Sequence, residues 1–316
     1  MVERAIVGAV VQAGSVMFDT EQTLVKLADL ASKAAGMGAQ LVVFPEAFIG
    51  GYPKGSHFGA PVGSRSSEGR DLFRAYAEGA IRIPGPETER LAALAGDLGV
   101  DIVVGAIEID PITNGTLYCS VLFFSGDGRF LGSRRKLVPT AAERVIWGQG
   151  DGSTLSVAEG VNGKLSGVIC WENYMPLLRV SQYAQGVEFY CAPTVDDREN
   201  WASTMRTIAL EGRCFVLSAC QYLTPKNVPQ TVLETRIDET PTMLIGGGSL
   251  IVSPLGDVLA GPLRGEEGIL TAALDRSDLM RAKMDFDVTG HYARPDVFQL
   301  TVNTERRSSV REQQPE

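Results

Sequence analysis

Residues 168–176 read Val-Ile-Cys-Trp-Glu-Asn-Tyr-Met-Pro and place Cys170 where an apolar, strand-like run changes to a helical pattern. A cysteine at such a turn is lifted out of the sheet, and the first N–H groups of the helix can stabilise a thiolate and developing negative charge. The pattern therefore makes Cys170 a candidate nucleophile. The alternative is a buried core cysteine, because free cysteine is among the most buried residue types.

Glu46 is a second candidate, because it follows the apolar run of residues 41–44 (Leu-Val-Val-Phe) and Pro45. Burial beside apolar surface raises the pKa of a carboxyl group toward neutrality, which suits a general base that takes a thiol proton. A structural glutamate bonded to nearby backbone is the alternative.

A cationic cluster at residues 134–136 (Arg-Arg-Lys) closes the strand pattern of residues 121–131. Most clusters of this kind are solvated surface. Lys136, however, directly precedes apolar residues and a turn at Pro139, so its ammonium group can point inward. There it would stabilise a charged reaction intermediate.

Glu46, Lys136 and Cys170, each at the end of a strand, resemble the Glu-Lys-Cys triad of the nitrilase superfamily of carbon–nitrogen hydrolases. The amidase branches have a different local pattern around the cysteine, and the sequence here resembles the nitrilase branch. The matching stretches are residues 44–53 (Phe-Pro-Glu-Ala-Phe-Ile-Gly-Gly-Tyr-Pro), 136–147 (beginning Lys-Leu-Val-Pro-Thr), 170–173 (Cys-Trp-Glu-Asn), 190–194 (Tyr-Cys-Ala-Pro-Thr) and 290–298 (Gly-His-Tyr-Ala-Arg-Pro-Asp-Val-Phe).

Strand-like runs alternate with helical periodicity along the chain, which predicts an α/β fold with a mixed sheet. Strands are predicted near residues 5–12, 40–44, 101–109, 117–125, 129–135, 163–169, 187–192, 214–221, 248–253 and 268–274. Helices are predicted near residues 20–36, 68–80, 87–98, 175–185, 199–212 and 276–284. The resemblance implies more: a four-layer α-β-β-α sandwich. No break in composition divides residues 1–304, so we predict one domain there, followed by a polar C-terminal tail at 305–316.

Composition narrows the range of partners. The 316 residues include 29 Lys and Arg against 38 Asp and Glu, a formal charge of -9, and the positive residues are interspersed along the chain. This distribution argues against binding to nucleic acid or to an anionic membrane. The N-terminus passes directly into a strand pattern without a signal-peptide pattern, and no apolar run is long enough for a bilayer, so we expect a cytoplasmic protein.

Metal and cofactor sites are not expected. Only two histidines, His57 and His291, are present, and neither cysteine nor histidine spacing matches a zinc site. No glycine loop of a nucleotide-binding type occurs. The five cysteines are an odd number in apolar contexts, as in a reducing compartment. Among them Cys191, which also ends a strand pattern, is the rival nucleophile, although its neighbours favour a pocket wall.

The resemblance implies a specific reaction. Cys170 would attack a nitrile after Glu46 takes its proton, giving a thioimidate and then a thioester, with release of ammonia and a carboxylic acid. Lys136 would stabilise the intermediates, and Glu143 resembles the family glutamate that holds the lysine and orders water. The resemblance also implies that the protein forms a homodimer or a larger homo-oligomer, including spirals.

We predict that residues in the matching stretches around Glu46 and Cys170 and at 190–194 line the substrate pocket. The candidate substrate-binding residues are Tyr52, Trp171, Glu172, Pro193 and Thr194, and they favour aromatic or arylaliphatic nitriles. Two alternatives stay open. One is an amidase, carbamoylase or cyanide-processing enzyme with the same triad, and the other is a non-catalytic assembly protein with the same fold.

Overall fold

Short runs rich in β-branched residues form two mixed β-sheets, and amphipathic helices pack on their outer faces. The computed structural model describes residues 5–310 except 237, 240 and 309. The described strands are β1 (Ala5–Gln12), β2 (Leu41–Val43), β3 (Asp101–Ile109), β4 (Leu117–Phe124), β5 (Phe130–Arg135), β6 (Ala158–Glu159), β7 (Lys164–Gly167), β8 (Phe189–Cys191), β9 (Phe215–Ser218), β10 (Tyr222–Leu223), β11 (Ile245–Val252), β12 (Val258–Arg264) and β13 (Gly268–Asp275).

Two helices begin after a residue whose side chain caps the helix N-terminus. Asp19 accepts the Gln22 N–H before α1, and Ser66 accepts the Gly69 N–H before α2, each at 2.9 Å. The described α-helices are α1 (Thr20–Gly36), α2 (Ser67–Glu78), α3 (Pro86–Leu98), α4 (Pro176–Tyr183), α5 (Trp201–Gly212), α6 (Gln230–Glu234) and α7 (Ser277–Ala282). Short 3₁₀ helices cover Ala141–Val145, Gly152–Thr154, Cys170–Tyr174 and Pro225–Asn227.

Each sheet combines a parallel centre with antiparallel edges. The first sheet has the order β13-β1-β2-β3-β4-β5, with parallel pairing of β1, β2 and β3. The second has the order β10-β11-β9-β8-β7-β6, with β12 added beside β11 and parallel pairing of β7, β8 and β9. The carboxyl ends of parallel strands meet at one edge of a sheet, so the side chain that follows β2 lies at this edge of the first sheet and the side chain that follows β7 at this edge of the second.

Three apolar layers show that the two sheets and their helices form a four-layer sandwich. Between the sheets, residues of the first (Val10, Val43, Val103) pack with residues of the second (Leu165, Phe189, Leu217). Outside the first sheet, α1 and α3 contribute Leu24, Leu27 and Leu91. Outside the second, α4 and α5 contribute Leu178, Trp201 and Met205. The predicted α-β-β-α sandwich is therefore confirmed.

β11 and β12 differ from the sequence prediction for a physical reason. β11 begins at Ile245, three residues before the predicted start, and runs through Gly246, Gly247 and Gly248. β12 was not predicted, because Gly261 and Pro262 interrupt its pattern and most of its side chains are exposed. Its pairing with β11 supplies the backbone hydrogen bonds that local propensity does not.

The two long segments at residues 49–68 and 223–246, which show no periodicity in sequence, contact each other. Ser56 forms a β-bridge with Arg236, and the His57 N–H donates to the Thr235 carbonyl at 3.0 Å. The Arg236 guanidinium also donates to the Lys54 carbonyl. These contacts hold the chain that follows Glu46, and the second segment contains α6, which the sequence did not predict.

The C-terminal region lies extended over the surface. The Arg307 N–H donates to Asp151 Oδ2 at 2.7 Å. Of the predicted polar tail at 305–316, residues 309 and 311–316 lie outside the described residues. Among the described helices, none has the length and apolarity that a membrane crossing requires.

Candidate active site

Side chains from both sheets meet at the carboxyl ends of their strands. Glu46 follows β2, Lys136 directly follows β5, and Cys170 follows β7. Lys136 Nζ lies 2.7 Å from Glu46 Oε1, and all three side chains are buried. The residues that the sequence singled out are thus gathered in one buried site between the two sheets.

Glu46 is held by a close approach of backbone. Gly105 of β3 lies directly beneath it, and a Cβ at that position would be 2.4 Å from the Pro45 carbonyl oxygen and 2.7 Å from Glu46 Cα. Only glycine allows this contact. Gln221 Nε2 donates to the Glu46 carbonyl at 2.7 Å, and the next residue, Ala47, has a left-handed φ of 50°. The backbone that carries the Glu46 side chain is therefore held in place.

Lys136 is a buried cation between two carboxylates. Its Nζ donates to Glu46 Oε1 at 2.7 Å and to Glu143 Oε2 at 2.8 Å. The Nζ also lies 5.5 Å from the centre of the Trp147 ring. Because the side chain of Lys136 is fully buried, these contacts replace its hydration.

Glu143 connects Lys136 to the loop that follows Glu46. It lies in the 3₁₀ helix Ala141–Val145, and its Oε2 also accepts the Thr140 N–H at 2.6 Å. Its Oε1 accepts the Tyr52 hydroxyl at 2.8 Å. The Tyr52 ring packs edge-on against Trp147, with centroids 5.7 Å apart. Both Glu143 and Tyr52 therefore belong to the same buried network as Lys136.

Cys170 begins the 3₁₀ helix Cys170–Tyr174 in a strained backbone conformation. Its φ of 49° lies in the left-handed region, which is costly for a residue with a Cβ and is found at functional sites. The Cys170 N–H donates to the Pro193 carbonyl at 2.9 Å, and Asn173 Nδ2 donates to the Cys170 carbonyl at 2.8 Å. The hydroxyl of Thr194 donates to Sγ at 3.2 Å.

Burial in the site disfavours the charged forms of the Cys170 thiol and of the Glu46 carboxyl group. Burial raises the pKa of Glu46, and Lys136 limits this rise. Burial also raises the pKa of Cys170, Glu46 adds to the effect, and Lys136 and the Thr194 hydrogen bond oppose it. Burial alone would lower the pKa of Lys136, but Glu46 and Cys170 outweigh it and raise that pKa. Lys136 is thus the permanent positive charge of the site.

Cys119, Cys191 and Cys220 also lie in the core between the sheets. Cys191, the rival nucleophile, is fully buried in β8, and its Sγ is 3.8 Å from the Phe189 carbonyl oxygen. Cys119 of β4 donates from Sγ to Glu46 Oε1 at 3.7 Å. Cys119 is thus a contact of the candidate base, which the sequence did not reveal because the two residues lie 73 positions apart.

Glu172 has a different place from the one predicted. Its carboxylate forms a bidentate ion pair with Arg134, at 2.7 and 2.9 Å, and both side chains are 1% exposed. The same carboxylate accepts the N–H groups of Leu137 at 2.6 Å and Ile169 at 3.2 Å. Both carboxylate oxygens therefore form hydrogen bonds within the protein, which connect the segment at Lys136 to the segment at Cys170. The expectation that Glu172 binds substrate is corrected accordingly.

The other predicted pocket residues lie around Cys170. Trp171 is 43% exposed, and its Nε1 donates to Asp196 Oδ2 at 2.9 Å. The Arg198 guanidinium lies over the Trp171 ring at 4.7 Å and pairs with Asp196. The sequence did not predict Asp196 or Arg198 as part of the site. Their only sequence signal is their position shortly after the stretch that contains Pro193 and Thr194.

Glu172→Gln is expected to destabilise the fold. The variant keeps the shape of the side chain but leaves the buried Arg134 without its counter-charge, which costs about 3–5 kcal/mol in the free energy of unfolding. Chemical denaturation followed by fluorescence measures the change. The matched control is Arg294→Met, in an exposed pair with Asp296 (side chains 65% and 61% exposed), and its denaturation midpoint should not move. Equal midpoints for Glu172→Gln and the wild type would contradict the assignment.

The family of the chain follows from a match over most of its length. A family model described as carbon-nitrogen hydrolase matches residues 9–284. The chain therefore belongs to the carbon–nitrogen hydrolase family.

Curated relatives refine this class to the nitrilases. An aliphatic nitrilase of Sinorhizobium fredii (strain HH103) is 55% identical over 302 residues, covering 96% of this chain and 97% of the relative. A bifunctional nitrilase/nitrile hydratase of Nicotiana tabacum is 53% identical, covering 95% of this chain and 87% of the relative. The predictions that this chain is a nitrilase and that it is a hydrolase are confirmed.

A solved structure supports the fold independently. The NitFhit protein of C. elegans superimposes with a TM-score of 0.74 at 19% identity, covering 98% of this chain and 70% of that chain. The likeness at this identity concerns the fold alone.

Proposed function

We propose that this enzyme hydrolyses an organic nitrile to the carboxylic acid and ammonia, with Cys170 as nucleophile. The observation that carries the proposal is the buried Glu46–Lys136–Glu143 network, in which Lys136 bonds both carboxylates and Glu46 adjoins Cys170. The names of the relatives support the same substrate class.

The first half of the reaction forms a covalent thioimidate. Glu46 Oε2 is buried and has no hydrogen-bond partner among the described residues, so it can accept the thiol proton of Cys170. The thiolate then attacks the nitrile carbon. Negative charge develops on the nitrogen, where Lys136 and the backbone N–H of Trp171 stabilise it, and Glu46 returns the proton. A preorganised donor of this kind contributes about 3–4 kcal/mol.

The second half consumes water. Glu46 activates a water molecule, which adds to the thioimidate and gives a tetrahedral intermediate. Cleavage of its C–N bond releases ammonia and leaves a thioester, and a second water hydrolyses the thioester to the acid. Cleavage of the C–S bond releases an amide instead. The Nicotiana tabacum relative is named both a nitrilase and a nitrile hydratase, which supports an amide product as part of this chemistry.

Glu143 acts on this reaction through Lys136. It accepts hydrogen bonds from Lys136, Tyr52 and Thr140, so it holds the ammonium group in place against Glu46. We assign Glu143 as a positioning residue for Lys136 and for the attacking water. Trp171, Tyr52, Pro193 and Thr194 surround the space at Cys170 and are proposed to contact substrate.

Two observations bear on which nitriles the enzyme prefers, and they point in opposite directions. The exposed ring of Trp171 beside Cys170 supports the predicted aromatic or arylaliphatic nitriles, because an aromatic substrate can stack on it. The Sinorhizobium fredii relative is named an aliphatic nitrilase and supports the opposite preference. A hydrophobic pocket discriminates by only about 1–3 kcal/mol per methylene, so a panel of substrates must span both classes.

The test is ammonia and acid release from benzonitrile, phenylacetonitrile, an aliphatic mononitrile, an aliphatic dinitrile, cyanide and benzamide. Acid and ammonia from the organic nitriles, with none from benzamide, support the proposal, and the relative rates assign the substrate class. Turnover of benzamide alone would establish an amidase instead, and turnover of cyanide alone would establish a cyanide-processing enzyme. A protein inert toward the whole panel and toward thiol reagents would revive the non-catalytic alternative.

The acid limb of the pH profile reports on Glu46. Its pKa is raised above the ordinary 4.5 by burial and further by Glu143, so kcat/KM should fall, as the pH decreases, at a pH above 4.5. Glu143→Gln removes one of the charges that raise this pKa, so its acid limb should lie at lower pH, with a maximal rate reduced about tenfold.

Initial rates between pH 4 and pH 9 measure this prediction. Glu199→Gln, on the exposed surface before α5, is the matched control and should keep the wild-type profile. An acid limb that stays in place, or moves to higher pH, in Glu143→Gln would contradict the assigned role of Glu46.

We also propose that the enzyme forms a homodimer or larger homo-oligomer, as the resemblance to the nitrilases implies. Large apolar side chains are exposed near the C-terminus, including Met280 (76%), Met284 (84%) and Phe298 (79%). Exposed apolar side chains of this size are what a subunit interface would cover. Sedimentation of the wild type and of Phe298→Glu tests this: a mass of two or more subunits that falls in the variant supports it, and a monomeric wild type overturns it.

A further inference from the structure

The hydroxyl of Thr194 lies against the sulfur of Cys170. Its Oγ1 donates to Sγ at 3.2 Å, and both residues are buried. The same Oγ1 accepts the Asp196 N–H at 2.9 Å. A hydroxyl has one proton to donate. With its acceptor side engaged by Asp196, that proton is directed at the sulfur.

Backbone hydrogen bonds fix this contact from both sides. The Cys170 N–H donates to the Pro193 carbonyl at 2.9 Å, one residue before Thr194. The Thr194 N–H donates to the Ala219 carbonyl at 2.9 Å, and the Gln221 N–H donates to the Thr194 carbonyl at 3.3 Å. These bonds hold the backbone of both residues, so the short Thr194 side chain reaches the sulfur from a defined position.

A neutral donor suits the charge balance of the site. Glu46 and Glu143 share the single ammonium group of Lys136, so a thiolate adds a further negative charge to a buried site. Burial and Glu46 raise the pKa of Cys170, and the hydrogen bond from Thr194 acts in the opposite direction. A hydroxyl stabilises the anion without a second cation, which would compete with Lys136 for the carboxylates.

We propose that Thr194 is a catalytic residue that donates a hydrogen bond to the Cys170 sulfur whenever the sulfur carries negative charge. This inference rests on the proposed nitrilase function and deepens it. The sulfur is anionic at two kinds of step: before it attacks the nitrile carbon, and each time a C–S bond breaks.

The choice between acid and amide follows from this role. In the tetrahedral intermediate the former nitrile carbon carries the Cys170 sulfur, a hydroxyl and an amino group. If the C–N bond breaks, Glu46 takes the hydroxyl proton and passes it to nitrogen, the electron pair of the bond leaves with nitrogen as ammonia, and a thioester forms. If the C–S bond breaks, its electron pair goes to sulfur, the hydroxyl proton goes to Glu46, and an amide forms. Thr194 stabilises only the second leaving group.

Loss of the hydroxyl therefore has two distinct effects. It slows every step that forms or expels the thiolate, from the attack on the nitrile to the release of the acid from the thioester. It also lowers the amide fraction of the product, because the C–S cleavage of the first intermediate loses its stabilised leaving group. A role confined to packing would change neither the amide fraction nor the chemistry of the thiol.

The experiment compares Thr194→Val, which keeps the shape of the side chain, with Thr194→Ser, which keeps the hydroxyl. Thr194→Ala is a second variant without the hydroxyl and with less crowding. Thr207→Val, on the exposed face of α5, is the matched control. Alkylation of Cys170 by iodoacetamide is followed across pH by peptide mass spectrometry, and kcat/KM and the acid-to-amide ratio are measured on the best nitrile of the panel.

We expect Thr194→Val and Thr194→Ala to lower the alkylation rate and kcat/KM about 10- to 100-fold, as for loss of a hydrogen bond to a charged group. Their alkylation should shift to higher pH and their amide fraction should fall, whereas Thr194→Ser and Thr207→Val should resemble the wild type. Folded Thr194→Val and Thr194→Ala proteins with wild-type alkylation and product ratio would overturn the inference.

The two readouts separate this inference from the proposed function. Alkylation requires only the thiol, so it tests the Thr194 hydrogen bond even if the wild type does not turn over any nitrile. In that case the nitrilase proposal fails alone. If the wild type does turn over nitriles but the Thr194→Val thiol reacts normally, the inference about Thr194 fails alone.

Discussion

Cys170→Ala should lower the rate of nitrile consumption by about 10⁴- to 10⁶-fold, the range found when a nucleophile is removed from a catalytic group that acts as a unit. Without the sulfur no thioimidate forms, so neither acid nor amide can appear by this route. Stability should change little, because the lost atom is a single buried sulfur whose charged form the site disfavours. Ammonia release, together with the intact mass of the protein after incubation with substrate, measures both the rate and the absence of a covalent adduct.

The matched control for this prediction is Cys191→Ala. Cys191 is as buried as Cys170 and also ends a strand, but its Sγ is directed to the Phe189 carbonyl. This variant should retain activity and form the adduct. Nitrile hydrolysis that survives in Cys170→Ala but disappears in Cys191→Ala would transfer the nucleophile to Cys191.

Lys136→Met should reduce kcat/KM by at least about 10³-fold, because it removes both the stabilising cation and the group that orients Glu46. Lys136 lowers the pKa of Glu46, so its loss raises that pKa further. Glu46 would then hold its proton near neutral pH and could not act as a base. Steady-state kinetics on the best nitrile of the panel measure the loss.

The same variant should lose stability, and the loss should depend on pH. Removing one partner of a buried ion pair costs about 3–5 kcal/mol while both carboxylates are charged. The folded state of the variant binds a proton at Glu46 more tightly than the unfolded chain does. By linkage, stability is retained at pH values below the ordinary carboxyl pKa and lost as the pH rises through the raised pKa of Glu46.

Thermal unfolding from pH 4 to pH 8 measures this dependence. Lys33→Met is the control, since Lys33 forms an exposed pair with Asp29 (62% and 57% exposed) and should affect neither kinetics nor the pH dependence of stability. A Lys136→Met protein that is equally destabilised at pH 4 and pH 8, or that retains most of its activity, would contradict the assignment.

Local sequence patterns predicted most of the helices and strands because their periods are short. The apolar runs over residues 101–109 and 117–125 and the 3.6-residue period over residues 20–36 agree with β3, β4 and α1. The pattern failed at β12, where Gly261 and Pro262 hide the strand, and at α6, which is five residues long within an aperiodic segment. β12 depends on its pairing with the preceding strand β11, and α6 lies in a segment that contacts the distant residues Ser56 and His57.

The amino-acid sequence by itself determined the residue types at the strand ends: a carboxylate after β2, a lysine after β5 and a cysteine after β7. These are local facts, since a side chain at a strand end can be read from a run of apolar residues and the residue that follows it. Together with the surrounding motifs they were sufficient to recognise a nitrilase before any contact was known.

Only the tertiary structure decided which groups touch. It assigned Glu172 to the buried Arg134 instead of to substrate, placed Cys119 on Glu46, and directed the Thr194 hydroxyl at Cys170 from 24 positions away. The physical reason is that a hydrogen bond requires a donor and an acceptor within about 3 Å, and such distances are set by the packing of one sheet on the other. Hydrophobic periodicity specifies the faces that pack, but it does not specify which polar side chains meet between them.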